Sequence, residues 1–482
     1  MKSLRILNKD REPTDFTRFV LYPLIFFFFL SVFTFLIIAA SGFRISYADN
    51  KLSFQRTGMI ILASHPFGAD IFLNGKSEGK KTGYFFFPTK MSSILPGDYT
   101  ISLKKDGYKT WEDVVSVVPN LVTRINYALL FKENLDLKEL SFPSDVKIIP
   151  NAEKNNLNND MILSKTENGL TTLYIYDANK DTSKKIWPPE EQLTESLANN
   201  SEITGVKLNK GNDRVIIYLK NGETTSYGLI DFSTEVSTLI FLESKFEKAF
   251  SKLVWSTTDP SQLLALSDAG LYIINLKDNS ISDLIASSVV DFSVEKNKQI
   301  YYIVDKSASF SLFQMNLDGN NKKLISEKIA KSKTYKISYS SKANALAILP
   351  YDDKGLYIYN GISEQMSPTK LSEDSLDFEW SNDSEKIYYS DGKIIKNYNF
   401  EKQKSSQVDM GENILSIDWY YDNFHYLVQT ENGLFVIDYD GSNKVCIHSG
   451  QIDQESSYLN GDIIFSYVDG TALEFKRFVS GF

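Results

Sequence analysis

One stretch of the chain has a pattern unlike everything after it. From Phe19 to Phe43 ("FVLYPLIFFFFLSVFTFLIIAASGF") no charged side chain interrupts an apolar run of 25 residues. A helix needs roughly 20 such residues to cross a bilayer. Pro23 stands near its start, where a missing backbone donor does least harm. Beyond residue 45 the pattern changes to short runs of alternating apolar and polar residues, punctuated by Gly, Asn, Asp and Pro. That is the pattern of strands and tight turns. The predicted fold class is all-β with one N-terminal transmembrane helix.

The first β region follows a short spacer, residues 44–57. "MIILAS" (59–64) predicts a strand that Pro66 ends, since proline donates nothing to a ladder. "ADIFL" (69–73) predicts the next, and Asn74-Gly75 then predicts a type I′ hairpin turn, which needs positive φ at both central residues. "LPGDYTISLKKDGYKTW" (95–111) supplies a Pro-Gly turn, an alternating strand and an Asp-Gly turn, and "VTRINYALLF" (122–131) a closing strand. Within this grammar His65 reads as a strand-end residue, and Asp70 and Lys76 as solvent-facing. Pro66-Phe67-Gly68-Ala69, Asn74-Gly75-Lys76, Gly79, Leu95-Pro96-Gly97-Asp98-Tyr99 and Gly107-Tyr108 together resemble the PEGA domain, a small β-sandwich-like module of bacterial and archaeal surface proteins. The resemblance covers residues 58–131. Phe67 replaces the family's acidic residue, and "KKTGYFFFPTKMSS" (80–93) replaces a shorter segment. In that insertion Phe85, Phe86 and Phe87 have two readings. The favoured one puts at least two rings in the sandwich core or against the next domain. The other makes them an exposed contact patch.

Residues 132–144 read as a linker, and 145–482 repeat themselves. "GLYII" (270–274), "GLYIY" (355–359) and "GLFVI" (433–437) recur at about twice the roughly 40-residue period of a propeller blade. "NLDGNNKKLI" (316–325) returns as "DYDGSNKVCI" (438–447), and an aromatic precedes a polar turn in "VWSTTD" (254–259), "EWSNDS" (379–384) and "DWYYDN" (418–423). Three markers on one period predict a β-propeller of about eight four-stranded blades, with seven as the alternative count. The blades centre near Tyr174, Tyr227, Tyr272, Phe313, Tyr357, Ile395, Phe435 and Leu473. The last unit lacks a fourth strand, and "LDLKELSF" (135–142) is the candidate to supply it and close the ring. The "WSND" corner resembles the Trp-Ser-Pro-Asp turn of TolB-type propellers, with the proline missing in every copy.

Charge and composition narrow the function. Net charge is −9 with no Lys/Arg stripe, so nucleic acid is not an expected partner. One cysteine, Cys446, excludes an intrachain disulfide framework, and His65, His425 and His448 are too far apart for a local metal motif. "DYDGSN" lacks a twelfth-position glutamate and reads as a hairpin turn, not a calcium loop. Asp352-Asp353 and Glu190-Glu191 read as solvated loop carboxylates. No phosphate loop, nucleophile elbow or catalytic constellation stands out, and no catalytic, cofactor or metal residue is assigned.

Lys2, Arg5, Lys9, Arg11 and Arg18 precede the apolar run, against Arg44, Lys51 and Arg56 just beyond it. The bias places tail 1–18 in the cytoplasm, a single-pass span at 19–43 and the bulk outside the inner membrane. A cleaved signal peptide is the rival reading, disfavoured because signal cores run about 7–15 residues. The expected function is a membrane-anchored, non-catalytic binding or scaffold protein that meets envelope protein or glycan. The alternative is an envelope glycan hydrolase or lyase with carboxylates in the propeller channel; an apolar, uncharged channel would exclude it. A spacer or surface-layer role is the third reading.

Overall fold

The computed structural model describes residues 17–40, 43–48, 51–84, 86–134, 136–139, 146–149, 160–167, 170–177, 182–189, 202–295, 297–307, 309–420, 422–450, 458–460, 463–468 and 471–476. Tail 1–16, Phe85, and the Glu190-Glu191 loop lie outside them. The chain divides into two compact units, residues 1–133 and 134–482.

The first unit opens with helix α1 (Tyr22–Ala40), preceded by a π turn at Thr17–Leu21. Its apolar window Phe19–Ile37 is long enough to span a bilayer, and none of it is buried in protein. Within it Thr34 Oγ1 donates back to Leu30 O at 2.8 Å, so that hydroxyl is satisfied inside the helix. The spacer is an antiparallel hairpin, β1 (Phe43–Ala48) and β2 (Lys51–Arg56), registered with Phe43 opposite Arg56. Alternation without a Gly-containing turn hid it.

Seven strands then build a sandwich: β3 (Gly58–His65), β4 (Asp70–Leu73), β5 (Lys76–Lys81), β6 (Thr89–Ile94), β7 (Gly97–Lys104), β8 (Trp111–Val117) and β9 (Val122–Leu129). One sheet runs β6-β3-β9 and the other β5-β4-β7-β8. Ile60, Leu62, Met91 and Ile125 of the first face Ile71, Ile101, Leu103 and Trp111 of the second in one buried core. Asn74 and Gly75 have φ of 48° and 77°, the two positive values that a type I′ turn needs. Asp70 and Lys76 are exposed.

The second unit is a β-propeller. Blade 1 comprises Val146–Ile149, Asp160–Glu167, Leu170–Asp177 and Thr182–Trp187; blade 2, Glu202–Leu208, Arg214–Asn221, Thr224–Asp231 and Thr238–Phe241. Blade 3 has Lys252–Trp255, Gln262–Ser267, Gly270–Asn275 and Ser280–Ile281; blade 4, Val289–Val294, Gln299–Asp305, Phe310–Asn316 and Lys323–Ile329. Blade 5 has Tyr335–Ser340, Ala345–Pro350, Leu356–Asn360 and Thr369–Ser372; blade 6, Asp377–Trp380, Lys386–Ser390, Ile394–Asn399 and Lys404–Asp409. Blade 7 has Ile414–Trp419, His425–Thr430, Gly433–Asp438 and Val445–Ser449. Tyr458–Asn460, Ile463–Val468 and Thr471–Lys476 form the eighth sheet with β10 (Asp136–Glu139), which pairs antiparallel with Thr471–Lys476.

Apolar cores lie between consecutive sheets rather than within them. Trp187 of blade 1 packs with Val206 and Val215 of blade 2, and Tyr388 of blade 6 with Trp419 and Tyr426 of blade 7. The first strands of successive sheets approach one another, which makes them the inner strands. The recurring corner tryptophan has a specific task there. Trp255 Nε1 donates to Lys207 O at 2.9 Å, Trp380 Nε1 to Ser338 O at 3.2 Å and Trp419 Nε1 to Glu379 O at 3.2 Å. Each indole thus ties its blade to the inner strand of the blade before. Trp419→Phe keeps the ring packing but orphans a buried carbonyl, so it should lower the denaturation free energy by about 1–2 kcal/mol. An unchanged urea midpoint would show the tie to be incidental.

Candidate functional site

At the end of the sandwich where β3 finishes and β4 starts, the chain builds an unusual turn. Thr82 is buried: its N donates to Ala69 O, its Oγ1 accepts from Ala69 N at 2.9 Å, and its Oγ1 lies 2.5 Å from Ser64 Oγ. Gly83 follows in a passage where any Cβ would lie 1.9 Å from Phe87 O. Phe87 N then donates to Tyr84 O at 2.9 Å, which closes a four-residue turn on Tyr84–Phe87. Phe86 and Phe87 are 77% and 70% exposed, so neither ring fills the sandwich core, as the favoured reading allowed. Phe85 lies outside the described residues.

Two residues that sequence reasoning did not place here complete the surface. Phe67, 58% exposed, packs on Tyr84 with ring centroids 5.8 Å apart, and Tyr84 on Phe87 at 5.3 Å. Lys105 Nζ donates to Phe67 O at 2.6 Å and lies 5.9 Å above the rings of both Phe67 and Tyr108. The outcome is a cationic edge on an open aromatic cluster. Phe67 had one signal in the sequence, as the apolar residue where an acidic one is usual.

The propeller offers two further places to look for chemistry. The inner strands of blades 3 to 6 carry Lys252, Asp291, Lys336 and Asp377 at matching offsets before their corners. Lys252 Nζ meets Asp291 Oδ1 at 2.7 Å, and Lys336 Nζ meets Asp377 Oδ1 at 2.6 Å. Glu379 accepts from Tyr388 Oη at 3.3 Å, and the same hydroxyl lies 2.7 Å from Ile417 O. Burial, then Glu379, pushes the Tyr388 phenol well above its ordinary pKa. Among the described residues the inner strands thus carry charged side chains as well as apolar ones. Their acids at these positions are held by lysine or tyrosine.

The second place is His425, fully buried at the start of the second strand of blade 7. Its Nδ1 is 2.7 Å from Asp422 Oδ2 and its Nε2 is 3.0 Å from Asp438 Oδ1. Burial alone would lower its pKa; the two carboxylates override that and raise it to about 10. An imidazolium between aspartates resembles a catalytic group until the blades are superposed by register. The pair His425↔Asp438 occupies the position of Arg214↔Asp231, Gln262↔Asn275, Gln299↔Asn316 and Lys386↔Asn399. Arg214 Nε meets Asp231 Oδ2 at 2.7 Å, and Lys386 Nζ donates to Asn423 O at 3.1 Å. His425 is one version of a corner that every one of these blades fills with a polar pair. It is structural.

The Asp-Gly turns resolve the same way. Asp318 Oδ1 accepts from Asn320 N at 2.9 Å, and Asp440 Oδ1 from Ser442 N at 3.0 Å. Among the described residues no group of three or more His, Cys, Asp or Glu side chains gathers as a metal site. Asp352 and Asp353 are exposed.

Comparison with known proteins follows this division. Residues 57–132 match the PEGA domain. No curated protein matches the chain. Among solved structures, oligogalacturonate lyase from Vibrio parahaemolyticus is similar at 11% identity and a TM-score of 0.40, covering 72% of this chain and 95% of its own. A eukaryotic initiation factor gives 11% identity and a TM-score of 0.44 over 70% of this chain and 86% of its own. A prolyl endopeptidase gives 8% and 0.44 over 63% and 49%. Likenesses this low carry no conclusion about activity.

Proposed function

We propose that this protein is a membrane-anchored, extracytoplasmic binding or scaffold protein of the bacterial cell envelope, acting without catalysis. The observation that carries the reading is the exposed aromatic surface at this turn, where Phe67, Tyr84 and Phe87 pack ring on ring and Phe86 stands beside them. Large rings in water are unfavourable for a monomer and are characteristic of contact surfaces. Lys105 adds a donor at the rim, which suits an envelope protein or a glycan. The apolar helix supports the anchor, and the PEGA match supports an address outside the cytoplasm. Excess basic residues before the helix support an N-terminus on the cytoplasmic side of the inner membrane.

The test is photo-crosslinking in intact cells, with a benzophenone side chain at Phe86 and, as control, at Lys76. Adducts with an envelope protein or glycan are expected from Phe86, and their loss is expected in the Phe67→Ser/Phe87→Ser background. No envelope adduct from Phe86, or equal adducts from Lys76, would overturn the proposal.

A further inference from the structure

The sandwich carries a second apolar surface at its opposite end. β3 begins there, β9 begins there in parallel with it, and β8 ends there opposite the start of β7. The β8–β9 connection forms the tip. Asn120 N donates to Thr57 O at 3.0 Å, Met59 N to Leu121 O at 3.1 Å and Leu121 N to Val118 O at 3.2 Å, so the tip is fastened to the first residues of the module. Val118, Leu121 and Val122 are 46%, 58% and 50% exposed. Nothing in the sandwich needs them outside: the core side of the same strands is already filled by Val115, Val117 and Ile125.

The hairpin between helix and sandwich says what meets this tip. Gly58 lies eighteen positions beyond Ala40, and a fully extended chain of that length could reach roughly 60 Å. The β1–β2 register removes that reach, because Phe43 pairs with Arg56. The chain leaves the helix, runs out along β1 and returns along β2 to its starting point. Gly58 therefore lies within about 23 Å of the end of the helix, whichever way the hairpin leans. Val118 and Leu121 lie directly against Gly58, where an added Cβ would be 2.7 Å from Val118 O and 3.3 Å from Leu121 O. Arg56 and Arg124, both exposed, are near in sequence to this end and suit anionic headgroups.

We propose that the Val118–Val122 tip docks into the interfacial layer of the bilayer that holds the helix, so that the PEGA module stands on the membrane surface. The inference rests on the anchor reading. It assigns the near-end aliphatic tip to lipid and leaves the far-end aromatic cluster facing away from it, free for a partner.

The experiment uses the full chain in vesicles of phosphatidylethanolamine and phosphatidylglycerol. Cys446→Ser removes the native thiol, and a polarity-sensitive dye is placed at Leu121→Cys or, at the far end, at Asp106→Cys. Spin-labelled lipids with the nitroxide near the headgroup act as quenchers. Flotation with the vesicles, with quenching several-fold stronger at 121 than at 106, is the expected result. Flotation with equal or absent quenching at 121 overturns the docking while leaving the anchor intact. Failure to float overturns the anchor and the docking with it.

Discussion

Replacing Asp136–Glu139 with a Gly-Ser segment of equal length lowers the unfolding midpoint of the propeller. The strand is short, but it is the fourth member of the eighth sheet, and it comes from the opposite end of the unit from Thr471–Lys476, its partner. Its four paired residues represent roughly four ladder hydrogen bonds, or about 2–6 kcal/mol at the usual net value. Keeping the length constant separates loss of pairing from a changed linker. A second readout is aggregation. Without β10 the edge of Thr471–Lys476 presents unpaired N–H and C=O groups to other chains. Calorimetry and light scattering should therefore change together. An unaltered melting profile would show that the strand closes nothing.

How far such features could be read from the chain depends on whether their cause is local. The propeller period was legible because each marker has a job inside one blade or between neighbours. Gly270 and Gly433 recur because a Cβ there would meet Ala286 O at 2.0 Å and His448 O at 2.3 Å, in the backbone paired alongside the third strand. The corner tryptophan recurs because its indole reaches the previous inner strand. The blade centres fall in the third strand of every sheet for that reason. Sites assembled from distant residues were not legible. Phe67 meets Tyr84 only because Thr82 is buried against Ala69 and Ser64. A run of three phenylalanines reads as core by composition, and only the steric demand at Gly83 marks it as a turn. The hairpin at 43–56 escaped because its significance lies in a register, which alternation alone does not fix.

His425→Ala is the most damaging single substitution expected in this propeller, and its rescue identifies the reason. Removing the ring leaves Asp422 and Asp438 facing a cavity, and Asp438 is itself almost fully buried. Breaking a buried pair in this way costs about 3–5 kcal/mol. A catalytic histidine tolerates no cationic substitute, whereas a structural cation does. Lys386 holds the same corner in blade 6, so His425→Lys should recover most of the stability lost in His425→Ala. The pH dependence gives an independent check. The folded pKa, about 10, lies above the ordinary value of 6.5, so the folded state binds the proton more tightly than the unfolded chain. The resulting stabilisation is complete below about pH 6.5 and is lost as the pH rises towards 10. The melting temperature of the wild-type protein should fall across that window more steeply than that of His425→Lys, whose ammonium stays charged through most of it. Parallel curves for the two proteins would mean that His425 is not the buried cation on which this corner depends.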